Sequence, residues 1–416
     1  MREGMIMMNE QSTSYWLLHV RLETGYRYKD GIVTGTETGL FHMKIENGAF
    51  SEIRPADAVP ETALPVRDVK GGLMLPSFRD MHIHLDKTYY GGPWKAPTRP
   101  ANGVFSRIEE EQRLLPELLP TAKERAEGLL DLLIGYGSTH IRSHCNVDPV
   151  VGLRNLEATL QAVDGYREKA FVEIVAFPQH GLLRSQSVSL VREALRNGAT
   201  LVGGLDPATV DDDTEKSLNA MMELAVEANA GIDMHLHEPS HIGLNTFKVL
   251  ADLVEDAGWD GRVTLSHALA LADVSSSEVD EVAARLANLG ISITSSVPLG
   301  RTIPIPQLHR QGVGVSLGQD SIMDHWSPFG KGDNLDKAGT LAERFHLMDE
   351  RSLGQTLGFI TGGVTPLDRD GQYAWPKVGD AAHAVIVEAS CSAEAVARRS
   401  QRRAVLYKGI PVHGTL

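Results

Sequence analysis

The chain has 416 residues, 42% of them hydrophobic and 23% charged, the composition of an ordinary globular protein. Its formal net charge of −14 excludes the basic footprint of a nucleic-acid binder, and no apolar run is long enough to span a membrane. Cys145 and Cys391 are too few for a disulfide framework, and residues 1–16 lack the apolar core of an export signal, so a reducing cytoplasm is the expected compartment.

The first ten or so residues are expected to be loose. Residues 14–70 carry short β-like pieces at 16–21 and 39–45, separated by Gly, Asp and Asn turns. From about residue 70 to 330 the rhythm changes. Short apolar runs at 72–85, 139–147, 171–177, 200–205, 232–236, 263–266, 291–297 and 313–317 recur, with helix-like segments between them at 122–134, 188–196, 215–228, 246–257 and 277–288. Strands alternating with helices predict βαβ units and a parallel sheet. Eight such runs predict a closed (β/α)8 TIM barrel, with a doubly wound open sheet as the alternative. A barrel takes roughly 250 residues, which leaves room for a smaller unit. β-like pieces return at 382–387, 404–408 and 410–413. The two β-rich ends are expected to pair into one small β-sandwich, discontinuous in sequence. The expected division is residues 1–70 and 366–416 for the sandwich and 71–365 for the barrel.

Chemistry in such a barrel sits at the C-terminal ends of the strands. The first run ends Asp80-Met81-His82-Ile83-His84-Leu85-Asp86, and His82 and His84, two apart, point the same way on a strand. The fifth ends His235-Leu236-His237-Glu238, the sixth Ser266-His267-Ala268, and the eighth Gly318-Gln319-Asp320-Ser321. Each group alone has a plain structural explanation. An H-x-H pair can simply be hydrogen-bonded, His267 can be a satisfied buried histidine, and Asp320 can cap a helix. Their coincidence at independent strand ends favours three imidazoles and one carboxylate around zinc or ferrous iron, with one position open. His237 alternates away from His235 and reads as a supporting or structural residue.

Other candidates are softer. Gln179, after Phe177-Pro178, is read either as recognising a ring amide through its paired donor and acceptor or as a surface-loop glutamine. Asp206 and Trp326 are placed to line a pocket, and Trp326 serves equally as a packing residue. Tyr89, Tyr90 and Trp94 form an aromatic lid or cover the barrel edge. Cys145 has no base beside it and reads as inert. No phosphate-binding glycine loop argues for a nucleotide cofactor.

Taken together, these motifs resemble the amidohydrolase superfamily, in its cytosine deaminase-like branch. The resemblance runs from about Gly72 to Thr365 on His82-Ile83-His84-Leu85-Asp86, Val175-Ala176-Phe177-Pro178-Gln179, His235-Leu236-His237-Glu238, Ser266-His267 and Gly318-Gln319-Asp320 with Trp326. It implies one divalent metal, Zn or Fe(II), on His82, His84, His235 and Asp320. It further implies that Glu238 shuttles protons, that His267 orients or polarises the attacking hydroxide, and that Gln179 and Trp326 contact the substrate ring. Bimetallic members carry a bridging lysine on the fourth strand. Here that strand reads Val202-Gly203-Gly204-Leu205-Asp206, which favours a single metal. Two departures bear on the substrate: Ser321 and His180 stand where cytosine deaminases have acids, both expected beside the pocket.

The implied activity is hydrolytic deamination of a C–NH2 group on a small pyrimidine-, triazine- or pterin-like ring. Alkylamine release, as in triazine-degrading relatives, or opening of a cyclic amide uses the same site. A metal-retaining binding protein without turnover is a third reading, disfavoured by Glu238 and His267. The expected partners are a small heterocyclic substrate and further copies of the chain in a homo-oligomer, with no nucleic acid and no membrane.

Overall fold

The computed structural model describes residues 14–416. The loose start expected for the first ten residues, and nearly all of the stretch searched for an export signal, lie outside the described residues. Eight parallel strands hydrogen-bond in sequence order: β1 (Phe78–Ile83), β2 (Ser138–Asn146), β3 (Phe171–Phe177), β4 (Leu201–Leu205), β5 (Gly231–His235), β6 (Val263–Ser266), β7 (Ser292–Ser295) and β8 (Val315–Leu317). Ile83 bridges Asp320 just past β8, so the last strand meets the first and the sheet closes. The doubly wound alternative falls on that contact.

Strand alternation sorts packing outward and chemistry inward. On β5, Ile232 and Met234 join the apolar layer beneath the surrounding helices, whereas Asp233 and His235 face the axis. Glycine permits the tightest approaches. A Cβ on Gly318 would lie 2.6–2.8 Å from His82 atoms, so β8 closes against β1 only with no side chain there. Gly203, paired with Asp233, sits where a Cβ would meet the Ala176 carbonyl at 2.6 Å, and no lysine fits at that register.

The lower lumen is polar. Arg142 on β2 bonds Glu173 on β3 at 3.2 Å and Asp233 on β5 at 2.9 Å. Burial alone would raise the Glu173 pKa, but the His140 hydrogen bond and the Arg142 guanidinium outweigh it and bring the carboxyl down to about 2. Glu173 therefore stabilises the fold fully above its unfolded pKa near 4.5, and that contribution is lost as pH falls towards 2. Glu173→Gln is expected to cost about 2–3 kcal/mol at pH 7. Thermal melts from pH 7 to pH 3 should show the gap to wild type narrowing as pH falls below 4.5. A constant gap between the curves would remove Glu173 from the acid response.

The run at 72–85, expected as one strand, is divided. Leu73–Pro76 belongs to a second sheet, and the chain enters the barrel only at Phe78. Pro76 closes the first piece, and the Ser77 N–H goes to the His383 carbonyl instead. The second sheet unites both chain ends. Its order is Ile410–Gly414, Arg402–Tyr407, Ala384–Val387, Leu73–Pro76, Tyr15–Lys29, Ile32–Glu46 and Ala49–Pro55, with Val66–Asp68 also on Tyr15–Lys29. Ala384–Val387 pairs antiparallel with Leu73–Pro76, and this pairing joins the two ends. Leu17, Met43, Phe50, Trp375, Ile386 and Leu406 form its separate core.

The long connection after β1 holds a helix, Gly103–Leu118, that is not among the expected helical segments. It is polar on average, contains Pro116 and has no side-chain N-cap, yet it buries Glu111 completely.

Candidate active site

The upper rim of the barrel gathers the expected residues. His82 lies on β1 and His84 just beyond it, His235 ends β5, His267 follows β6, and Asp320 follows β8. Ring nitrogens of His82, His84 and His235 lie within 4.8 Å of one another, as do donor atoms of His82, His267 and Asp320. The Asp320 Oδ1 atom is 3.5 Å from His82 Nε2 and 3.7 Å from His84 Nε2. Backbone bonds fix this geometry: Asp320 N–H donates to the His82 carbonyl at 2.7 Å, and His84 N–H to the Asp320 carbonyl at 3.2 Å. Both Asp320 and His267 hold left-handed backbone, at φ 67° and 72°, strain typical of a functional site.

The donor set fits a divalent metal. The buried Nε2 atoms of His82 and His267 have no hydrogen-bond partner, and the Nε2 atoms of His84 and His235 face each other at 3.4 Å. Outer partners turn the rings. Ser266 donates its hydroxyl to Asp233 at 2.7 Å, so it accepts from His82 Nδ1 at 2.7 Å and leaves Nε2 with its lone pair. His84 Nδ1 donates to the His144 carbonyl at 3.2 Å with the same effect. Burial holds His84, His235 and His267 well below the usual imidazole pKa, so they are neutral at pH 7. Burial would push Asp320 up, but the facing His267 and His82 rings prevail and keep it ionised.

A small cavity of about 60 Å³ opens beside these donors, lined by His84, Lys87, Gln179, His235, His237, His267, Asp320, Ser321 and Trp326. Gln179, Ser321 and Trp326 thus stand where the sequence placed them. Four residues do not, the first being Asp206, which lies outside the lining behind His237. Glu238 is 2% exposed and lies outside the lining. Its carboxylate accepts from the N–H groups of Ala208 and Thr209 at 2.7 and 3.1 Å and from the Thr246 hydroxyl at 2.5 Å. His180 also misses the cavity, with Nε2 3.3 Å from Glu111 and Nδ1 3.6 Å from Asp148. Conversely, His237 belongs to the wall. β5 ends at His235, so strand alternation stops there. Asp206 takes His237 Nδ1 at 2.9 Å and turns its ring against His267, 4.5 Å between centroids.

Lys87 is the wall residue that motif reading missed. It is buried against Glu111 at 3.2 Å and reaches Gln179 Oε1 at 3.0 Å. Trp94 is 68% exposed and forms no lid, while Tyr89 is buried and Tyr90 half-buried outside the cavity. Cys145 is buried with its thiol pKa raised well above the ordinary value by burial, in keeping with an inert residue.

A (β/α)8 barrel with this imidazole and carboxylate set at its rim fits a hydrolase that uses a divalent metal. The Amidohydrolase family matches residues 121–413, and the chain belongs to that family. It is a hydrolase of carbon–nitrogen bonds other than peptide bonds. The chain is 48% identical over 406 residues to the uncharacterized protein YahJ of Escherichia coli (strain K12), covering 97% of this chain and 88% of that one. It is 31% identical over 350 residues to the N-isopropylammelide isopropyl amidohydrolase of Pseudomonas sp. (strain ADP), covering 82% and 86%. Among solved structures, the N-isopropylammelide isopropylaminohydrolase of Burkholderia multivorans superposes with a TM-score of 0.84 at 30% identity, covering 97% and 99%. No helix among the described residues is long and apolar enough to cross a membrane.

Proposed function

We propose that this chain is a metal-dependent deaminase that hydrolyses the C–NH2 group of a small, flat nitrogen heterocycle and releases ammonia. One observation carries the reading: a single cavity is lined by two unlike sets of residues, first His84, His235, His237, His267 and Asp320, and second Lys87, Gln179, Ser321 and Trp326. The first suits activation of water and the second a planar polar ring. His82, His84, His235 and Asp320 would hold one divalent metal, zinc or ferrous iron. The absence of a lysine from β4, where Leu205 stands level with His235, supports a single ion.

A metal in that set supplies Lewis acidity that brings the pKa of water from 15.7 towards about 7. The chain's residues supply the rest. Asp320, ionised, accepts the proton of the attacking water, and neutral His267 orients that water through a ring nitrogen. Glu238 delivers a proton to a ring nitrogen as the attacked carbon becomes tetrahedral. Asp320 returns its proton to the departing nitrogen and the second proton of the water passes back to Glu238 as the carbonyl forms, so that ammonia leaves neutral and both carboxyls are restored. The balance is one water consumed, one C–N bond broken and one C–O bond formed.

Release of an alkylamine is the second reading, favoured by the two N-isopropylammelide hydrolases at about 30% identity. One assay separates the readings. Purified, metal-loaded protein is offered aminated and alkylaminated pyrimidines, triazines and pterins, and free ammonia and alkylamine are measured. Ammonia release with the higher kcat/KM supports deamination, and preferential alkylamine release supports the second reading. No release from any ring would sink both.

Cytosine is not expected to lead that panel. Ser321 is buried in the cavity wall, where it carries no charge and can donate or accept. An acid there would accept only, and would stand close to Asp324, which already bonds Ser321. A mismatch of one buried polar contact costs about 1–3 kcal/mol, or one to two orders of magnitude. Ser321→Asp should shift selectivity towards cytosine by about that much. A wild-type kcat/KM for cytosine above about 10⁵ M⁻¹s⁻¹ and above every other ring contradicts the assignment.

A further inference from the structure

Glu111 reaches the site from outside the barrel. It lies on the helix Gly103–Leu118 and is fully buried, with donors from several rim loops converging on its carboxylate. Oε1 accepts from Lys87 Nζ at 3.2 Å, His325 Nε2 at 2.8 Å and Trp326 Nε1 at 3.1 Å. Oε2 accepts from Asn146 Nδ2 at 2.9 Å, with His180 Nε2 at 3.3 Å. Two of these partners, Lys87 and Trp326, line the cavity. Lys87 and Glu111 are 1% and 0% exposed, so each is the other's compensation for a buried charge.

The chain of contacts continues to the ligand-facing amide. Lys87 directs its three ammonium protons at Glu111, at Asn146 Oδ1 at 3.4 Å and at Gln179 Oε1 at 3.0 Å. An ammonium has donors only, so it can meet only the oxygen of Gln179. The amide NH2 is therefore the end left for the cavity.

We propose that Glu111 is the positioning residue of this pocket: through Lys87 it turns the Gln179 amide so that NH2 faces the ligand, and through Nε1 it holds the Trp326 ring. The ring edge that binds there is accordingly a hydrogen-bond acceptor, a carbonyl oxygen or an unprotonated ring nitrogen. This rests on the proposed heterocycle hydrolysis for the identity of the ligand, but not for the geometry of the clasp.

The test has one arm that needs no substrate. The chain has five tryptophans, and subtracting the emission of a Trp326→Phe counterpart isolates Trp326. In Glu111→Gln, acrylamide should quench that component at least about twofold faster, because the amide cannot accept from every donor around it. Unchanged quenching overturns the clasp whatever the substrate is. The second arm uses the best substrate of the panel and the metal-loaded protein. Glu111→Gln should raise KM about tenfold or more, as loss of one charged hydrogen bond predicts, with kcat within about threefold and metal content unchanged. In a Lys87→Met background the same change should add less than about twofold, because neighbours in one network are not additive. Full additivity overturns the route through Lys87. A preference for rings with a donor at that edge overturns the acceptor assignment. Glu109→Gln, exposed on the same helix, serves as the unchanged control. Should Glu111→Gln fold poorly, Glu111→Asp keeps the charge and should fall between it and wild type in both arms. A wild type that turns over no ring refutes the deaminase reading alone, and the quenching arm still decides the clasp.

Discussion

His82→Ala is expected to abolish metal retention and, with it, turnover by at least about 10³-fold, since Lewis-acid activation of water is worth several kcal/mol. His82 is the member shared by all three groups of donors, the one with His84 and His235, the one with His267 and Asp320, and the one with His144 and Asp233. Its Nε2 is buried and unpartnered, and Ser266 holds its Nδ1. Alanine removes that nitrogen but keeps the backbone carbonyl that receives the Asp320 N–H, so barrel closure survives. Wild-type protein purified without chelator should carry close to one metal per chain, and His82→Ala less than about a tenth of that. The variant should also melt like chelated wild type, since a ligand bound only by the native state raises stability in proportion to its occupancy. His237→Ala is the contrast. It should retain the metal, because its Nδ1 goes to Asp206 and its ring rests on His267. Two metals in wild type, both needed for activity, would sink the mononuclear assignment.

The donor set was legible in the sequence because it obeys the period of a strand. His82 and His84 share a face by alternation, and His235, Ser266-His267 and Asp320 each close an apolar run that the structure shows as a strand. Alternation carries one residue past a strand end, as at His84, but not two, as at His237. His237 was assigned away from the cavity by extending alternation past the end of β5, and the turn reverses it. His180 was expected beside the substrate, yet Glu111 and Asp148 draw it off. Neither partner was visible as such: Glu111 is a charged residue on the buried face of its helix, between Ile108 and Leu114, and lies 24 residues from Lys87 in the chain. A buried Lys–Glu pair leaves no local mark in a sequence; only tertiary packing brings it together. The division of residues 72–85 between two sheets is similar. Apolar residues recur along the whole run, and only Pro76-Ser77, with no proline N–H for the ladder, hinted at the break.

Glu238→Gln is expected to preserve fold and metal while lowering kcat/KM by at least about 10²-fold, the usual worth of a general acid–base group. The structure makes this variant informative. As it stands, the carboxylate is anchored by Ala208, Thr209 and Thr246 rather than aimed into the cavity. Glutamine can reproduce that anchorage, since its Oε1 accepts from the two backbone N–H groups while its NH2 donates to the Thr246 oxygen. A folding defect is therefore not the expected cause of any loss. Burial raises the Glu238 pKa against those hydrogen bonds, which moves a carboxyl in the direction a proton carrier near neutrality requires. To act, the side chain must swing from its anchors towards the ring nitrogen. That step predicts a second, independent signature: Thr246→Val, which removes the hydroxyl donor at 2.5 Å, should release the carboxylate and raise its pKa further. The alkaline limb of kcat/KM, where the Glu238 proton is lost, should then move to higher pH while the Glu238→Gln variant shows no such limb at all. Near-wild-type turnover in Glu238→Gln would remove this residue from the mechanism and leave Asp320 and His267 to move both protons.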